Sequence, residues 1–422
     1  MIVFLKKVRI KTVFSIFEPI VTEPLELCYL KSVLNNMDIE SYIIDKQFGL
    51  KEPLNVIPSA VVLTGYNVAE NEIIKEAGIY KTKYPKAKII VGGVHAQINF
   101  KEFLTKEIDY ICHTQSLNTF KELIKNIMNG DDSIVEGVNL FHKSAVHEHE
   151  NTIPDRTLFY KMPHMFRYLE KKNVALIKGS TSCPYNCSYC FCKLLNYSYY
   201  IKADYKRMIQ EMESIQANYF WIIDDVLFTD RIGALEFIGI IKKKELNLKI
   251  IGYLRADFIL REKDLLPALR KAGLTEVIVG FEATNNEELK GYEKTTNALN
   301  YPEVISLLKE NNIDLTALFM VKPDYRIKDF KNLYKFLKNN KIEVYTISIL
   351  TPIKGTIDYE LLKKKLTTLD PRKFDFLHLV LKPNLPKWMF YLLFYSVHAR
   401  LLKSKRVWKY LLNSITNRME NI

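Results

Sequence analysis

Short apolar runs alternate with amphipathic segments over the first 130 residues of the chain. The segments VFSIF (13–17), SYIIDK (41–46), AVVLTG (60–65), KIIVGG (88–93) and DYIC (109–112) have the length and composition of strands. Between them, PLELCYLKSVLNNM, a stretch from Asn71 to Lys81, and FKELIKNIM are typical of helices. Strands that alternate with helices form βαβ units, so the pattern predicts a doubly wound parallel sheet with helices on both faces.

The turns of this sheet are candidate ligand contacts, because doubly wound sheets bind ligands outside the carboxyl ends of their strands. The turns at Glu18-Pro19, Thr64-Gly65 and Gly92-Gly93-Val94-His95 lie at that edge. Paired glycines permit a bound group to approach the backbone closely. The candidate contacts are Thr64, Gly65, Gly92, Gly93 and His95.

A second series of six apolar strands begins near residue 173 and is also interrupted by amphipathic helices. Its strands are NVALIKG, YFWIIDD, LKIIGYLRAD, EVIVGFE, LTALFMV and VYTISIL. This spacing predicts a partial (β/α)6 barrel, in which chemistry gathers where strands pass into loops. Asp225, Arg255 and Glu282 occupy such positions and are therefore expected to converge in space.

The predicted fold class is α/β, with a Rossmann-like doubly wound domain, a partial barrel and a helical tail. The expected limits are 1–135 for the first domain, 136–168 for a hairpin and linker, 169–355 for the barrel and 356–422 for the C-terminal region. Residues 137–149 suggest the hairpin, and two prolines without a clear period mark the linker NTIPDRTLFYKMPH. The histidines at 142, 147 and 149 are expected in a solvated loop rather than at a metal site.

The N-terminal sequence and the charge distribution bear on the location of the protein and on its possible partners. The N-terminal segment MIVFLKKVRIKTVF lacks the long apolar core of a signal peptide, so we expect a cytoplasmic location. The net charge of +13 comes from lysines that are scattered among glutamates, without an arginine-rich stripe and interleaved aromatics. Nucleic acid is therefore not an expected partner.

The C-terminal segment LPKWMFYLLFYSVHARLLKSKRVWKYLL is aromatic and basic. Its apolar core is shorter than the ~20 residues that a membrane span needs. We expect this tail to cover the open side of the barrel. A peripheral contact with a membrane surface is the alternative.

The loop CPYNCSYCFC (183–192) contains four of the six cysteines of the chain. In a reducing compartment, clustered cysteines act as metal ligands or reactive thiols. Structural zinc usually joins two distant pairs of ligands, which one short loop does not provide. The spacing of Cys183, Cys187 and Cys190 instead suits one cubic iron–sulfur cluster with three ligated irons and one open iron. Cys192 has no place in this spacing, and the isolated Cys28 and Cys112 are expected to be buried small hydrophobic residues.

The C-x3-C-x2-C motif follows the first strand of a βα series and has an aromatic residue, Tyr189, before its last cysteine. It resembles the motif of the radical S-adenosylmethionine (SAM) superfamily. The resemblance implies that Cys183, Cys187 and Cys190 hold a 4Fe-4S cluster whose open iron binds SAM, and that the reduced cluster cleaves SAM to a 5'-deoxyadenosyl radical. It also implies that Tyr189, Asp225, Arg255 and Glu282 bind SAM: a carboxylate for the ribose hydroxyls, a guanidinium for a carboxylate and a further acceptor.

The resemblance extends to the cobalamin-binding subgroup, which includes methyltransferases and anaerobic magnesium-protoporphyrin ester cyclases. The matching stretches are EPIVTEPLELCYLKSVL, YIID, IIVGGVHA, IPDRTLFY, WIIDD, GFEATNNEELKGYEKTT and HLVLKP. This implies cobalamin as a third cofactor, with Thr64, Gly65, Gly92, Gly93 and His95 as its contacts. Two features depart from the subgroup: Asp-x-His-x-x-Gly is absent, and His113-Thr114-Gln115-Ser116 replaces the usual acidic Gly-Glu-Gly-Glu turn.

The implied function is an anaerobic enzyme that transfers a methyl group from methylcobalamin to an unactivated carbon through the adenosyl radical. Its substrate would be a small molecule, a lipid or a peptide, and its electrons would come from an external donor such as flavodoxin or ferredoxin. Oxidative cyclisation or rearrangement without methyl transfer is an alternative on the same scaffold. A non-catalytic cobalamin or iron–sulfur sensor is an alternative of another class, and it predicts no 5'-deoxyadenosine.

Overall fold

The computed structural model describes residues 1–11, 19–139, 145–294 and 296–419, with side chains up to residue 412. It contains two parallel sheets, of five and six strands, and one small antiparallel sheet. The α/β fold class is therefore confirmed. Within the described ranges, no helix combines the length and the apolar character that crossing a bilayer requires.

The N-terminal sheet is fully parallel, and its strands are β1 (Ile2–Lys7), β3 (Glu40–Ile44), β4 (Ala60–Thr64), β5 (Lys88–Gly92) and β6 (Tyr110–Ile111), while β2 (Ile20–Val21) belongs to the small sheet. The spatial order is β3-β1-β4-β5-β6. Counted within this sheet alone, that order is 2-1-3-4-5, the doubly wound order whose ligand crevice lies between the first and third strands of the sheet. The doubly wound prediction is confirmed.

The first strand differs from the prediction. It is IVFLKK at residues 2–7, whereas the predicted strand VFSIF and Glu18 lie outside the described residues. Val3 and Leu5 pack into the core on one face of the sheet, and Phe4 packs into the core on the other. The two lysines that end the strand obscured this pattern, but both are buried and paired: Lys6 with Glu76 at 2.6 Å, and Lys7 with Glu26.

Helices cover both faces of the N-terminal sheet, and they are α1 (Leu25–Asn35), α2 (Glu70–Lys83), α3 (Val94–Asn99) and α4 (Leu117–Asn129). Helices α1 and α4 contribute Leu27, Leu34 and Phe120 to one core cluster. Helices α2 and α3 contribute Ile73 and Ala96 to the cluster on the opposite face. The sheet is thus buried on both sides, as its nearly continuous apolar strands require.

The connection between the two large sheets differs in detail from the predicted hairpin and linker. In the described part of residues 137–149, Val138 forms an isolated bridge with Cys112, and no strand is present; His142 lies outside the described residues. The hairpin occurs later, as β7 (Arg167–Tyr168) and β8 (Lys171–Lys172), and β2 pairs with β7 to complete the small sheet. The predicted domain limits themselves stay a prediction.

The second large sheet contains six parallel strands in sequential order, as the partial-barrel prediction requires. The strands are β9 (Val174–Ile177), β10 (Tyr219–Ile222), β11 (Ile250–Tyr253), β12 (Leu274–Glu282), β13 (Asp314–Val321) and β14 (Val344–Ile349). The helices between and after them are α5 (Tyr205–Glu213), α6 (Arg231–Lys243), α7 (Ala256–Arg261), α8 (Leu266–Lys271), α9 (Asn286–Gly291), α10 (Tyr301–Glu310), α11 (Ile327–Asn339) and α12 (Ile357–Leu362). Each strand therefore ends in a loop that leads to a helix, and these loops form one rim.

The inner face of the barrel is filled by strand side chains and by residues from the preceding half of the chain. Trp221, Ile251 and Ile278 from the strands pack with Leu25 of α1 and Tyr168 of β7. The Tyr168 hydroxyl donates to Thr316 Oγ1 at 3.1 Å. The linker hairpin and α1 therefore occupy the barrel interior, which the tail was predicted to cover.

The C-terminal tail forms α13 (Lys387–Ala399) and α14 (Lys405–Met419). Helix α13 packs on α11 outside the barrel, and its residue Val397 accepts a hydrogen bond from the Tyr345 hydroxyl at 2.6 Å. Arg406 of α14 reaches the buried carboxylate of Glu276 near the amino end of β12, at 2.7 Å. The prediction that the tail covers the open side of the barrel is wrong, because the interior is already filled and the apolar face of α13 packs on the outer layer.

The tail makes the stability of the protein sensitive to mild acid. Burial lowers the pKa of His398 on α13, whose Nδ1 lies 2.9 Å from the Phe394 carbonyl oxygen. The unfolded chain binds a proton at this histidine below pH ~6.5, whereas the folded chain keeps it neutral, so stability falls as the pH drops through that value. In thermal unfolding between pH 7.5 and 5.5, we expect His398→Gln to show a shallower loss of midpoint temperature than the wild type. The variant of the exposed His164, His164→Gln, should follow the wild-type profile.

Candidate functional site

The cysteine loop begins directly after β9, at the carboxyl end of the barrel strands. The backbone N–H groups of Gly179 and Ser180 donate to the buried carboxylate of Asp224, at 2.8 and 2.9 Å. A side chain at Gly179 would overlap the Met208 sulfur, because a Cβ there would lie 1.9 Å from Sδ. Strand β10 and helix α5 therefore fix the start of the loop.

The loop then folds back on itself around the three motif cysteines. The Ser182 hydroxyl lies 3.2 Å from the carbonyl oxygens of both Cys192 and Lys193, and the Cys190 N–H donates to the Cys187 carbonyl at 3.1 Å. These contacts hold residues 182–193 as one compact loop. The sequence pattern places Asp224 with Asp225 at this strand end, whereas it does not identify Ser182.

Cys183, Cys187 and Cys190 are partly exposed free thiols. Burial raises the pKa of Cys183 to about 12 and also raises the pKa of Cys187. Thiolate sulfur is the ligand form for iron, so cluster binding has to displace these protons. Three thiols on one loop match the donor set of an iron–sulfur cluster with one open iron. In the part of the chain that the structure describes, no three His, Cys, Asp or Glu side chains surround a position for a single metal ion.

Cys192 lies beside the motif cysteines although the motif does not include it. Its thiol shares hydrogen bonds with Cys190 and with the carboxylate of Asp225, and the bond to Cys190 is the main cause that raises the pKa of Cys192. The same bond is the main cause of the lowered pKa of Cys190. Cys192 therefore connects the cysteine loop to the end of β10, a contact that the sequence did not indicate.

Asp225 follows β10, and its carboxylate is the clearest candidate for a ligand contact. The residue is half-buried, and its buried Oδ2 atom has no hydrogen-bond partner among the described residues. Burial raises the pKa of Asp225. A buried acceptor without a partner is costly, so this atom fits a donor that a bound molecule would supply.

Arg255 and Glu282, at the ends of β11 and β12, are also near the loop. The Arg255 guanidinium lies over the ring of Tyr185, 3.8 Å from its centroid, and pairs with Asp257 at 2.8 Å. Lys294 and Arg255 are the nearby cations that lower the pKa of Cys187, although burial has the larger, opposite effect. The structure therefore brings these predicted site residues together around the cysteine loop.

Glu282 occupies a strained position. Its φ is +64°, and the pairing of β12 with β13 shifts register between Gly280 and Glu282. The Lys294 ammonium donates to Glu282 Oε1 at 3.0 Å and to the Gly280 carbonyl at 2.6 Å. Backbone strain of this kind often marks a functional site. Lys294 was not predicted, since neither its sequence position nor its charge indicated that the bulge would place it beside Glu282.

Tyr189 packs against the same group. Burial raises the pKa of its hydroxyl, which also shares a hydrogen bond with Glu282. Its ring makes an edge contact with Tyr292, with 5.4 Å between the ring centroids. Tyr189 therefore links the last part of the cysteine motif to the end of β12.

The glycines in the turns of the N-terminal sheet differ in whether their neighbours leave room for a side chain. Gly93 has a φ of +101°, and a Cβ there would lie 2.4 Å from Thr64 Oγ1, so packing against Thr64 requires a glycine. Gly65 is limited by Ile73 Cδ1, 3.0 Å from a Cβ at that position. Gly92 has only ordinary contacts, the nearest being Cys112 Cβ at 3.6 Å. Of the three glycines, Gly92 is the one whose neighbours do not explain the missing side chain.

His95 has partners within its own domain. Its Nε2 lies 2.7 Å from Glu70 Oε2, and its Nδ1 lies 3.3 Å from Asn99 Nδ2. Both ring nitrogens are thus engaged at the start of α3. His95 is in position to order the turn after β5, and its contact with cobalamin stays a prediction.

The carboxyl edges of the two large sheets face each other. Helix α3 packs against the segment Cys192–Ser198 that follows the cysteine motif. His113, in the turn that departs from the subgroup pattern, stacks on Phe100 and hydrogen-bonds to the Tyr197 hydroxyl. Asn67 donates to the Phe374 carbonyl at 2.9 Å, so the segment before the tail also contacts the first domain. The two groups of predicted site residues therefore lie on facing edges.

Comparisons with known proteins identify the domain that the barrel forms and show what the rest of the chain is similar to. The model of the radical SAM superfamily matches residues 177–337. The chain is 26% identical over 352 residues to an anaerobic magnesium-protoporphyrin IX monomethyl ester cyclase of Synechocystis sp., covering 78% of this chain and 70% of the cyclase. It is 24% identical over 333 residues to a hopanoid C-3 methylase of Methylococcus capsulatus, covering 76% of this chain and 64% of the methylase.

A solved structure extends the similarity to the arrangement of the domains. The radical SAM methyltransferase TsrM from Kitasatospora setae, solved with cobalamin and a 4Fe-4S cluster bound, matches with a TM-score of 0.68 at 16% sequence identity. The match covers 91% of this chain and 82% of TsrM. TsrM therefore has a similar fold, and in its structure cobalamin and a 4Fe-4S cluster are bound. The chain therefore contains a radical SAM domain, and it has homologues among methylases and anaerobic ester cyclases.

Proposed function

We propose that the protein transfers a methyl group from cobalamin to an unactivated carbon of its substrate. The observation that carries this proposal is the cysteine loop, which lies at the rim of the barrel beside the unpartnered Asp225 oxygen and faces the carboxyl edge of the N-terminal sheet. When bound, the cluster and SAM supply a 5'-deoxyadenosyl radical, and cobalamin supplies the methyl group. The protein has to hold these groups close together and exclude water.

Each residue at the barrel rim has a role that its contacts support. Cys183, Cys187 and Cys190 provide the thiolates for the cluster. Asp225 accepts hydrogen bonds from the ribose hydroxyls of SAM through its free oxygen, and Cys192 holds the other side of that carboxylate. Glu282 is oriented by Lys294 and Tyr189, so it is a fixed acceptor rather than a mobile surface carboxylate.

Arg255 is held at the rim of the barrel by its ion pair with Asp257. Its Nε and one terminal nitrogen are engaged by Asp257. Its position over Tyr185 keeps the group planar against the cysteine loop. We assign it the recognition of the SAM carboxylate together with Asp257 as its positioning partner.

The first domain fits cobalamin at the level of sheet topology and at Gly92. The crevice between β1 and β4 is the ligand site of this strand order, and Gly92 ends the adjacent strand β5 with only ordinary contacts from its neighbours. Because both nitrogens of His95 are engaged, the corrin would bind without a histidine ligand from this turn. The missing Asp-x-His-x-x-Gly motif agrees with that arrangement.

The substrate is proposed as a small molecule, a lipid or a peptide, and the electrons as coming from an external donor such as flavodoxin or ferredoxin. A cluster of low potential requires a reducing, oxygen-free environment such as an anaerobic cytoplasm. A second candidate function is cyclisation or rearrangement without methyl transfer, which the similarity to the Synechocystis cyclase favours. A non-catalytic sensor does not need to bind SAM, so the unpartnered Asp225 oxygen beside the cysteine loop favours an enzyme over a sensor.

The test is an anaerobic reconstitution with iron, sulfide and hydroxocobalamin, followed by reduction in the presence of SAM that carries a trideuterated methyl group. Methyl transfer predicts 5'-deoxyadenosine and a substrate-derived product that contains the deuterated methyl group. Cyclisation predicts 5'-deoxyadenosine with an unlabelled product. A protein that retains cluster and corrin but forms no 5'-deoxyadenosine would contradict both enzymatic proposals.

Asp225 gives a direct test of the SAM site. We expect Asp225→Asn to raise the KM for SAM by roughly tenfold to a hundredfold, because each hydrogen bond to a charged group contributes about 1.5–3 kcal/mol. The iron and sulfide content should stay at the wild-type level, since Asp225 is not a thiolate ligand. The measurement is 5'-deoxyadenosine formation against SAM concentration, with the exposed Asp132→Asn as the control. An unchanged KM with lost iron would assign Asp225 to the loop structure instead.

A further inference from the structure

The C-terminal helices expose large apolar side chains on a surface that no described part of the chain covers. On α13, Phe390, Phe394 and Val397 are buried against the barrel, and Trp388 and Leu392 on another face are 66% and 62% exposed. Single exposed apolar residues are normal, but an exposed tryptophan with a leucine one turn later is an unpartnered helix face.

Helix α14 also exposes large apolar side chains. Trp408 is 50% exposed, and its indole N–H donates to the carbonyl of the exposed Leu402. Leu412, one turn after Trp408, is also exposed. Tryptophan has an apolar ring and one polar N–H, which suits it to the boundary between water and an apolar phase.

The charge around these residues has one sign. Residues 376–419 contain no Asp or Glu, and they contain eight Lys and Arg: Lys382, Lys387, Arg400, Lys403, Lys405, Arg406, Lys409 and Arg418. This segment therefore carries a formal charge of +8, out of +13 for the whole chain. Arg406 is paired with Glu170 and Glu276, so the exposed positive charge comes from the lysines at 382, 387, 403, 405 and 409. Exposed charge of one sign attracts anions.

A cavity of about 610 Å³ beside α14 adds to this positive surface. Lys172, Lys249, Arg270 and Lys409 line it. The two acidic side chains in its wall, Glu170 and Asp314, are both within ion-pair distance of Lys171 and Arg406. The remaining charge that the cavity presents to solvent is positive, and Lys409 connects it directly to Trp408.

Arg406 fixes α14 relative to the barrel, so this surface has a defined place. Its Nε lies 2.6 Å from Glu170, and one terminal nitrogen lies 2.7 Å from the buried Glu276. Helix α14 therefore lies at the end of the barrel opposite to the cysteine loop. Trp408 and the cavity therefore lie away from the proposed active site.

We propose that α13, α14 and the adjoining cavity form a docking surface for a bilayer that contains anionic phospholipids. Trp388, Leu392 and Trp408 enter the interfacial layer of the bilayer. The lysines around them bind the phosphate groups of the lipids, with Lys409, Lys172 and Lys249 placed at the cavity. Apolar insertion together with basic residues is the combination that gives peripheral binding to an anionic surface.

The test uses the full-length protein and two kinds of vesicle, one of pure phosphatidylcholine and one with phosphatidylglycerol. We expect co-sedimentation with the anionic vesicles at least tenfold tighter than with the neutral ones, and weaker binding at high salt because exposed charges are screened. Emission from Trp388 and Trp408 should move to shorter wavelength on binding, whereas the third tryptophan, Trp221, is already buried. Free glycerol phosphate should not compete at concentrations comparable to the lipid.

Matched variants separate the contribution of the apolar side chains to vesicle binding from that of the lysines. Trp388→Ser with Trp408→Ser should weaken binding to anionic vesicles by tenfold or more, as should Lys403→Glu with Lys405→Glu and Lys409→Glu. The controls are Leu54→Ser with Ile57→Ser, which are exposed elsewhere, and Lys106→Glu with Lys121→Glu and Lys125→Glu. Each variant is first shown to unfold at the wild-type temperature and to form 5'-deoxyadenosine at the wild-type rate.

Three results would overturn the proposal. They are the absence of binding to either vesicle, equal binding to both, and equal effects of the tail and control variants. A concentration-dependent dimer that is lost in the Trp388→Ser and Trp408→Ser variant, without vesicle binding, would assign the surface to a second copy. These outcomes do not depend on methyl transfer, since the lipid assay needs neither cluster nor cobalamin.

Discussion

Replacing Cys183, Cys187 or Cys190 by alanine is expected to abolish 5'-deoxyadenosine formation in the anaerobically reconstituted protein. Each change removes one of three thiolates, and a cluster with two protein ligands is not retained in a loop of this size. The loss should exceed the roughly 100-fold effect of changes in the shell around metal ligands. The measurements are iron and sulfide per chain, the optical spectrum of the cluster, and 5'-deoxyadenosine by mass spectrometry.

Cys192→Ala is the matched control, because this thiol lies in the same loop and contacts both Cys190 and Asp225. We expect it to keep the iron content, while the KM for SAM rises modestly through the lost contact to Asp225. A second control is Cys112→Ala, in the first domain. Loss of iron in Cys192→Ala equal to that in the motif variants would mean four protein ligands and no open iron, and the proposed chemistry would then fail.

Replacing Arg156 by leucine is expected to cause the largest loss of stability of any change proposed for this chain. The Arg156 guanidinium donates to Glu23 at 2.9 Å and to the Leu176 carbonyl at 2.6 Å, and it pairs with Glu211 at 2.7 Å. All three charged side chains are almost completely buried. Removing the arginine leaves two buried carboxylates, which costs about 3–5 kcal/mol.

The pH dependence of this loss has a defined sign. Burial raises the pKa of Glu211 even with Arg156 present, and without the arginine the pKa of Glu211 rises further. A carboxyl with a raised folded pKa destabilises the protein when it is ionised, so the deficit is largest near pH 8 and shrinks as the pH falls towards 5. The midpoint of urea unfolding, compared with wild type at each pH, measures this effect.

The surface pair of Arg372 and Asp370 supplies the control for Arg156. Arg372→Leu should change stability by less than about 1 kcal/mol, because exposed ion pairs contribute little. A small, pH-independent effect of Arg156→Leu would mean that water or rearranged side chains solvate Glu23 and Glu211. The ion pairs of Arg156 with Glu23 and Glu211 would then not be what stabilises this contact of the linker.

The pattern of apolar and polar residues predicted the two sheets well but misplaced particular elements. The first strand was missed because Lys6 and Lys7 end it, and their pairing with Glu76 and Glu26 cannot be seen in the local pattern. The position of the tail was wrong for a related reason. The apolar face of α13 showed that the helix packs on something, but not that α1 and the linker hairpin already fill the barrel.

In the candidate site too, the sequence predicted some residues and missed others. The three cysteines lie within eight residues, so the sequence was sufficient to predict them as one group. The ends of β10, β11 and β12 were also predictable, and with them Asp225, Arg255 and Glu282. Lys294 and Cys192 were not, because their contacts depend on the bulge in β12 and on the closed form of the cysteine loop.

By itself, the sequence determined the α/β class, the parallel order of alternating strands and helices, and the three thiolates of the cysteine loop. Each of these depends on periodicity or spacing over a few residues, where local geometry leaves few choices. The tertiary structure alone decided that Arg156 joins Glu23 and Glu211, and that Arg406 holds the tail beneath the barrel. These partners are far apart along the chain, and which of many similar charges meet is set by how the sheets pack, because burial makes an unpaired charge costly.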